Sequence, residues 1–173
     1  MRTFISIDLP KNIQKEIKKI QEQLPEFKGK FTEEENLHLT LKFLGEIDEE
    51  KLENVKEKLN KISFNRFNAE INSIGVFSEN YVRIVWLKIS NCEKLQKEID
   101  LVLEDLFKKE ERFMGHLTIA RVKSLKDKKV FLEKLRKIKI PLLVFQVKEF
   151  NLKKSILTKK RAFYEILETY RLN

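Results

Sequence analysis

The sequence of 173 residues holds one cysteine, one tryptophan, three prolines, four glycines and two histidines. A lone Cys92 excludes an intramolecular disulfide framework and a cysteine-rich zinc site, and it fits a reducing compartment. The scarcity of glycine leaves little room for a glycine-built phosphate cradle. Neither G-x-G-x-x-G nor G-x-x-x-x-G-K-[ST] occurs, which sets aside the usual dinucleotide and ATP sites. No stretch approaches the roughly 18 apolar residues of a membrane span. The opening Met1–Pro10 alternates and meets Asp8 too early for a signal peptide. These absences predict a soluble, cytoplasmic protein with no membrane partner.

What is present is the composition of one folded domain spanning residues 1–173. Apolar residues make up 42% of the chain, which argues against disorder, and charged residues 36%. Lys and Arg outnumber Asp and Glu by 36 to 27, a net charge of +9. Such a balance favours polyanionic partners, although a solvated lysine-rich surface would give the same count.

Hydrophobic periodicity orders the chain. Thr3–Asp8 alternates like a strand. Pro10 suits a helix start, and Ile13, Ile17, Ile20 and Leu24 follow at helical spacing until Pro25. Leu37–Leu44 reads as a strand. Asp48 reads as the N-cap of a helix striped by Leu52, Val55, Leu59 and Ile62. Strands are expected at Phe67–Phe77 and Tyr81–Ile89, turning at Ser78-Glu79-Asn80, then a helix from Cys92 to Phe107. A strand at His116–Val122, a helix carrying Val130, Leu132, Leu135 and Ile138, and β segments at Leu142–Leu152 and Ala162–Thr169 complete the order. Strand, helix and two strands thus follow His38 and again His116. The pattern predicts an α+β fold of two pseudo-symmetric lobes, related by duplication, meeting at about residues 80–90.

The two histidines share a tetrapeptide pattern, His38-Leu39-Thr40-Leu41 and His116-Leu117-Thr118-Ile119. Residues two apart on a strand share a face, so His38 projects with Thr40 and His116 with Thr118. Leu39, Leu41 and Phe43 are expected on the opposite face, with Leu117 and Ile119. Two stray histidines would both find Thr two residues on only about once in a thousand such chains. Imidazole titrates near neutrality, so one ring can accept a proton while the other donates one. Threonine hydroxyls can hydrogen-bond the charge that builds on non-bridging oxygens. This set suits in-line displacement at phosphorus with no metal and no cofactor. The carboxylates just beside the pairs are Glu33, Glu34, Glu35 and Glu46, and no further His or Cys stands with them to complete three or four zinc ligands, so no metal site is expected. Which histidine is acid and which is base stays open.

Asn36-Leu37-His38-Leu39-Thr40-Leu41-Lys42-Phe43-Leu44-Gly45-Glu46 and Gly115-His116-Leu117-Thr118-Ile119-Ala120-Arg121 resemble the twin motifs of the 2H phosphoesterases. Within them the chain is most similar to the RNA 2′,3′-cyclic phosphodiesterases of the LigT type, formerly called 2′-5′ RNA ligases. Arg2–Ile7, Gly75-Val76-Phe77, Val85-Trp86-Leu87, Ser155-Ile156-Leu157 and Tyr164 extend the likeness along the whole chain. The resemblance implies a bilobal LigT-like fold with antiparallel sheets around a central cleft whose walls carry His38, Thr40, His116 and Thr118. It implies hydrolysis of an RNA-terminal 2′,3′-cyclic phosphate to a 2′-phosphomonoester, and in some members a reversible 2′-5′ ligation without ATP. The implied partner is RNA with a cyclic phosphate end, such as a tRNA fragment, met by a monomer. The chain departs from the family at Phe31, Gly115 and Arg161, where Trp, Pro and Gly are common. Arg161 is the departure that bears on substrate access.

Two cations near the motifs have competing readings. Strict alternation sends Arg121 away from His116, while a bulge would re-aim it into the cleft to bind phosphate or stack on a base. Lys42 falls on the His38 face by parity, where it would contact an RNA backbone or stand as a solvated lysine. Two other functions compete with RNA-end hydrolysis. One is the same chemistry on a small cyclic nucleotide. The other is a non-catalytic RNA-binding module, for which loss of one histidine would scarcely matter.

Overall fold

The computed structural model describes residues 1–158 and 162–173. Arg161 therefore lies outside the described residues. Strand β1 (Arg2–Asp8) leads through Pro10 into helix α1 (Lys11–Glu22), whose Ile13, Ile17 and Ile20 are buried. A short strand, β2 (Lys28–Phe31), follows, and a single 3-10 turn at Glu34–Asn36 then feeds β3 (His38–Glu46). Asp48 caps helix α2 (Glu49–Leu59), its carboxylate accepting from the Lys51 amide at 2.8 Å. Next come β4 (Phe67–Val76), β5 (Ile84–Ser90), α3 (Glu93–Val102), β6 (His116–Ser124) and α4 (Lys128–Arg136). The chain closes with β7 (Leu143–Val147), β8 (Glu149–Leu157) and β9 (Ala162–Arg171).

The structure departs from the periodicity at several points, and α3 ends at Val102 where the sequence predicts a helix to Phe107. β2 is a polar, wholly exposed Lys-Gly-Lys-Phe segment with no apolar alternation, so only its pairing with β6 reveals it. The Leu142–Leu152 segment is two strands in different sheets, parted at Lys148. On α4 the core face carries Phe131, Leu132 and Leu135, whereas Val130 stands 42% exposed.

All pairings are antiparallel and form two sheets, β3-β1-β8-β9 and β2-β6-β5-β4-β7. Each sheet draws strands from both halves of the sequence, and the two strands bearing the His-x-Thr pairs lie in different sheets and touch each other. A single apolar core joins them, with Ile5, Leu39, Leu87 and Leu117 all at 0% exposure. Burial of each such side chain stabilises by about 1.5–3 kcal/mol. The leucines alternating with the His/Thr pairs thus anchor both strands from behind. No helix among the described residues is long and apolar enough to cross a membrane.

Candidate active site

The local geometry of the two His-x-Thr strands is the same. Both β3 and β6 show one pattern over nine residues: half-buried His and Thr alternate with buried apolar residues, then two buried residues fall in succession. The cause is a β-bulge at the same place in each. Opposite β1, Ser6 pairs with Thr40 and Ile5 with Lys42, so Leu41 is the extra residue. Opposite β5, Trp86 pairs with Thr118 and Val85 with Ala120, so Ile119 is the extra residue. An extra residue reverses the alternation beyond it. Phe43 and Arg121, each five residues after a histidine, turn back to the His/Thr face.

This corrects two parity expectations. Phe43 is not behind the strand; it is 64% exposed and lines the cleft. Lys42 does not reach the cleft and is not solvated. It is 2% exposed, and its ammonium donates to Asp100 Oδ1 at 2.5 Å and to the Lys108 carbonyl at 2.7 Å. Asp100 also accepts from Gln96 Nε2 and from the Glu110 amide, both at 2.8 Å. The bulge turned this lysine inward, and the buried carboxylate is its partner.

His38, Thr40, His116, Thr118 and Arg121 all line one cleft of about 570 Å³ between the two sheets. Phe4, Lys30, Phe31, Asn36 and Tyr164 are among its other walls. Each imidazole is fixed from behind in the same way. His38 Nδ1 is 2.7 Å from the Asn36 carbonyl, and His116 Nδ1 is 2.9 Å from the Met114 carbonyl. A carbonyl only accepts, so each Nδ1 carries the hydrogen and each neutral ring keeps its lone pair on Nε2. Asn36 is itself pinned, its amide donating to Glu33 and to the Ala162 carbonyl, both at 3.1 Å. Gly115 lets the Met114–His116 segment approach β5 closely. A Cβ there would stand 2.4 Å from the Ile89 carbonyl oxygen.

Aromatic rings hold the imidazoles from the side. Phe4 and Tyr164 flank His38 at centroid distances of 5.1 and 5.0 Å, and Phe77 meets His116 edge-on at 4.9 Å. Residue spacing gave no signal for these neighbours, since they come from β1, β9 and the segment after β4. Phe43 did carry a signal: it occupies the same place in its repeat as Arg121.

The two rings differ electrostatically. Burial pushes the His38 pKa down from 6.5 to about 4, with the Lys153 ammonium adding to the effect and Arg121 adding less. The Asn36 hydrogen bond and the Asp8 carboxylate oppose it. Buried Lys153 pairs with Asp8, whose side chain stays 38% exposed, and Asn151 Nδ2 also donates to Asp8 at 3.0 Å. His38 is therefore neutral at pH 7. Between pH 6.5 and about 4 the unfolded chain binds a proton at this residue that the folded chain excludes, so stability falls as the pH is lowered through that window.

Among the described residues no group of three or more His, Cys, Asp or Glu side chains is placed to hold a metal ion. The arrangement offers two Nε2 atoms, two hydroxyls and one guanidinium around a space that fits a phosphate ester. It can take a proton at one ring, give one at the other and bind non-bridging oxygens between them.

The chain is similar to known proteins in sequence and in fold. The chain is 43% identical over 177 residues to the RNA 2′,3′-cyclic phosphodiesterase of Methanocaldococcus jannaschii, covering 98% of this chain and 100% of that one. It is 34% identical to the Archaeoglobus fulgidus protein of the same name, covering 98% and 99%. Its fold superposes on a crystal structure from Thermus thermophilus with a TM-score of 0.83 at 25% identity, covering 99% and 97%. It superposes on E. coli LigT complexed with 3′-AMP with a TM-score of 0.80 at 26% identity, covering 99% and 97%. The LigT like Phosphoesterase family model matches residues 7–86 and 89–164, and with most of its length matched, the chain belongs to that family.

Proposed function

We propose that this chain hydrolyses RNA-terminal 2′,3′-cyclic phosphates to 2′-phosphomonoesters by two-histidine acid–base catalysis without a metal. One observation carries the reading: two imidazoles of the same tautomer, each with a threonine two residues on, face one cleft with Nε2 free to act. The names of the curated relatives and the 3′-AMP complex of E. coli LigT support the substrate class. One chain supplies both rings, so the site needs no second copy. The two matched stretches, 7–86 and 89–164, divide where the repeats are read to meet, which supports duplication within a single domain.

In this mechanism neutral His38 takes a proton from the attacking water through Nε2. The water oxygen forms a bond to phosphorus as the bond to the 3′ oxygen breaks, and protonated His116 gives its Nε2 proton to that oxygen. Thr40 and Thr118 hold the non-bridging oxygens, and Arg121 adds positive charge. With an RNA 5′-hydroxyl attacking in place of water, the same forward steps would form a 2′-5′ linkage without ATP, the hydroxyl's proton passing to His38 and the displaced 3′ oxygen taking one from His116. The deciding experiment is product analysis on an RNA ending in a 2′,3′-cyclic phosphate, such as a tRNA fragment, with and without chelator. The expected product is a 2′-monoester at an unchanged rate in chelator. A 3′-monoester, or loss of rate in chelator, would overturn the reading.

Two further results are expected. Thr40→Val and Thr118→Val should each lower kcat by roughly 10- to 100-fold, the cost of one hydrogen bond to a charged transition state; unchanged kcat would remove the hydroxyls from the mechanism. Lys153→Met removes a charge that disfavours imidazolium and leaves Asp8 unpaired, and both changes raise the His38 pKa. The acid limb of kcat/KM should therefore move up from near 4 toward 6.5. A limb that stayed in place would mean that His38 is not the base.

A further inference from the structure

The two catalytic strands are equivalent in geometry but not in charge. At the first two cleft-facing positions they match, His with His and Thr with Thr. Beyond the bulge they diverge: Phe43 on β3 corresponds to Arg121 on β6, Gly45 to Lys123 and Glu46 to Ser124. One wall is therefore apolar and then acidic, the other twice basic. Strand β2 deepens the difference, because it pairs with β6 and extends that wall. Lys30 lies opposite Arg121, and Lys28 opposite Ser124. All four cations are exposed, and Lys30 and Arg121 line the cleft while Lys28 and Lys123 continue outward along the same pair of strands. Across the cleft, Arg2 also lines the space with Glu46 as its cross-strand neighbour, and among the described residues it is the one cation of that sheet lining the cleft.

In a twofold-symmetric site a cyclic phosphate could bind in either of two poses related by the pseudo-axis. Turning the substrate over would exchange the water and the leaving oxygen between the two imidazoles. A chain carrying one negative charge per nucleotide distinguishes the walls, because each cation that meets a phosphate releases a counterion. We propose that the RNA leaves the cleft along the β6–β2 wall, with its backbone phosphates on Arg121, Lys30, Lys123 and Lys28. This surface fixes the substrate's direction and keeps His116 at the leaving oxygen and His38 at the water. The inference rests on the functional reading above. It adds the path of the RNA and the reason why two near-identical histidines keep separate roles.

The test separates the RNA body from the reacting end. Lys28→Glu/Lys123→Glu is compared with Arg2→Glu on a single-stranded RNA decamer with a cyclic end and on a mononucleoside 2′,3′-cyclic phosphate, after thermal melting shows each variant folded. The double variant should lose at least tenfold in kcat/KM on the decamer, with a shallower salt dependence, and keep wild-type turnover of the mononucleotide; Arg2→Glu, within the cleft itself, should change the two substrates by the same factor to within about twofold. From the double variant, an equal loss on both substrates or no loss on the decamer would overturn the proposal, as would a loss from Arg2→Glu confined to the decamer. If the double variant fails to fold, Lys28→Gln and Lys123→Gln singly should each lower the salt slope by about 0.7, and unchanged slopes count against it. Decamer affinity, read from a fluorescent label, decides the path on its own. If wild-type protein turned over neither substrate, the functional reading would fail, while the affinities would still tell the walls apart.

Discussion

His38→Ala and His116→Ala are each expected to lower kcat on a cyclic-ended RNA by about 10³-fold or more. The double variant should be little worse than either single one, because acid and base act in the same transition state and removing one strands the other. The two losses should also differ in kind. A substrate with sulfur in place of the leaving 3′ oxygen needs little help from an acid, since thiolate leaves readily. It should recover much of the His116→Ala loss and little of the His38→Ala loss. Near-wild-type turnover by either alanine variant would end the two-histidine mechanism. The reverse pattern of recovery would exchange the roles. The His116 change should leave folding intact, because that half-buried side chain packs against the exposed Phe77 ring and one backbone carbonyl.

The second large effect is on stability. Lys42→Met leaves the Asp100 carboxylate buried without its cation and should cost about 3–5 kcal/mol. For a chain of this size that corresponds to a fall in Tm of roughly 10 °C or more. Burial alone would raise the Asp100 pKa, but the hydrogen bonds from Lys42, the Glu110 amide and Gln96 outweigh it and hold the carboxyl below its usual range. The stability this group contributes is present above the ordinary carboxylate pKa and is lost as pH falls through the lower folded-state value. Lys42→Met/Asp100→Leu should recover part of the loss, since no lone charge remains, although Gln96 and the Glu110 amide still lose an acceptor. A Lys42→Met protein that melted like wild type would show that the pair contributes nothing net.

The fate of Lys42 illustrates what a sequence can and cannot disclose. His38, Thr40, His116 and Thr118 were readable because period-two alternation is local and the pattern occurs twice. The bulge was not, since it depends on how many residues β1 and β5 place opposite β3 and β6. One uncounted residue was enough to move Phe43 into the cleft and Lys42 into the core. Arg121, sent away by the same alternation, is returned by the same bulge. β2 was missed for a related reason: an exposed edge strand of polar residues carries no periodic mark of its own. The Phe4, Tyr164 and Phe77 rings around the histidines are products of topology, and no spacing along the chain announces them.

The weaving of the two sheets has a mechanical consequence. Jaw-like closure needs two bodies joined by a few compliant links, with little packed between them. Here each sheet contains strands from both halves of the chain, a single residue, Lys148, joins β7 of one sheet to β8 of the other, and β3 touches β6 beneath the imidazoles. Moving one wall relative to the other would pull on the shared core. The gap between the histidines is thus a dimension of the framework, set when the chain folds and not by what enters it.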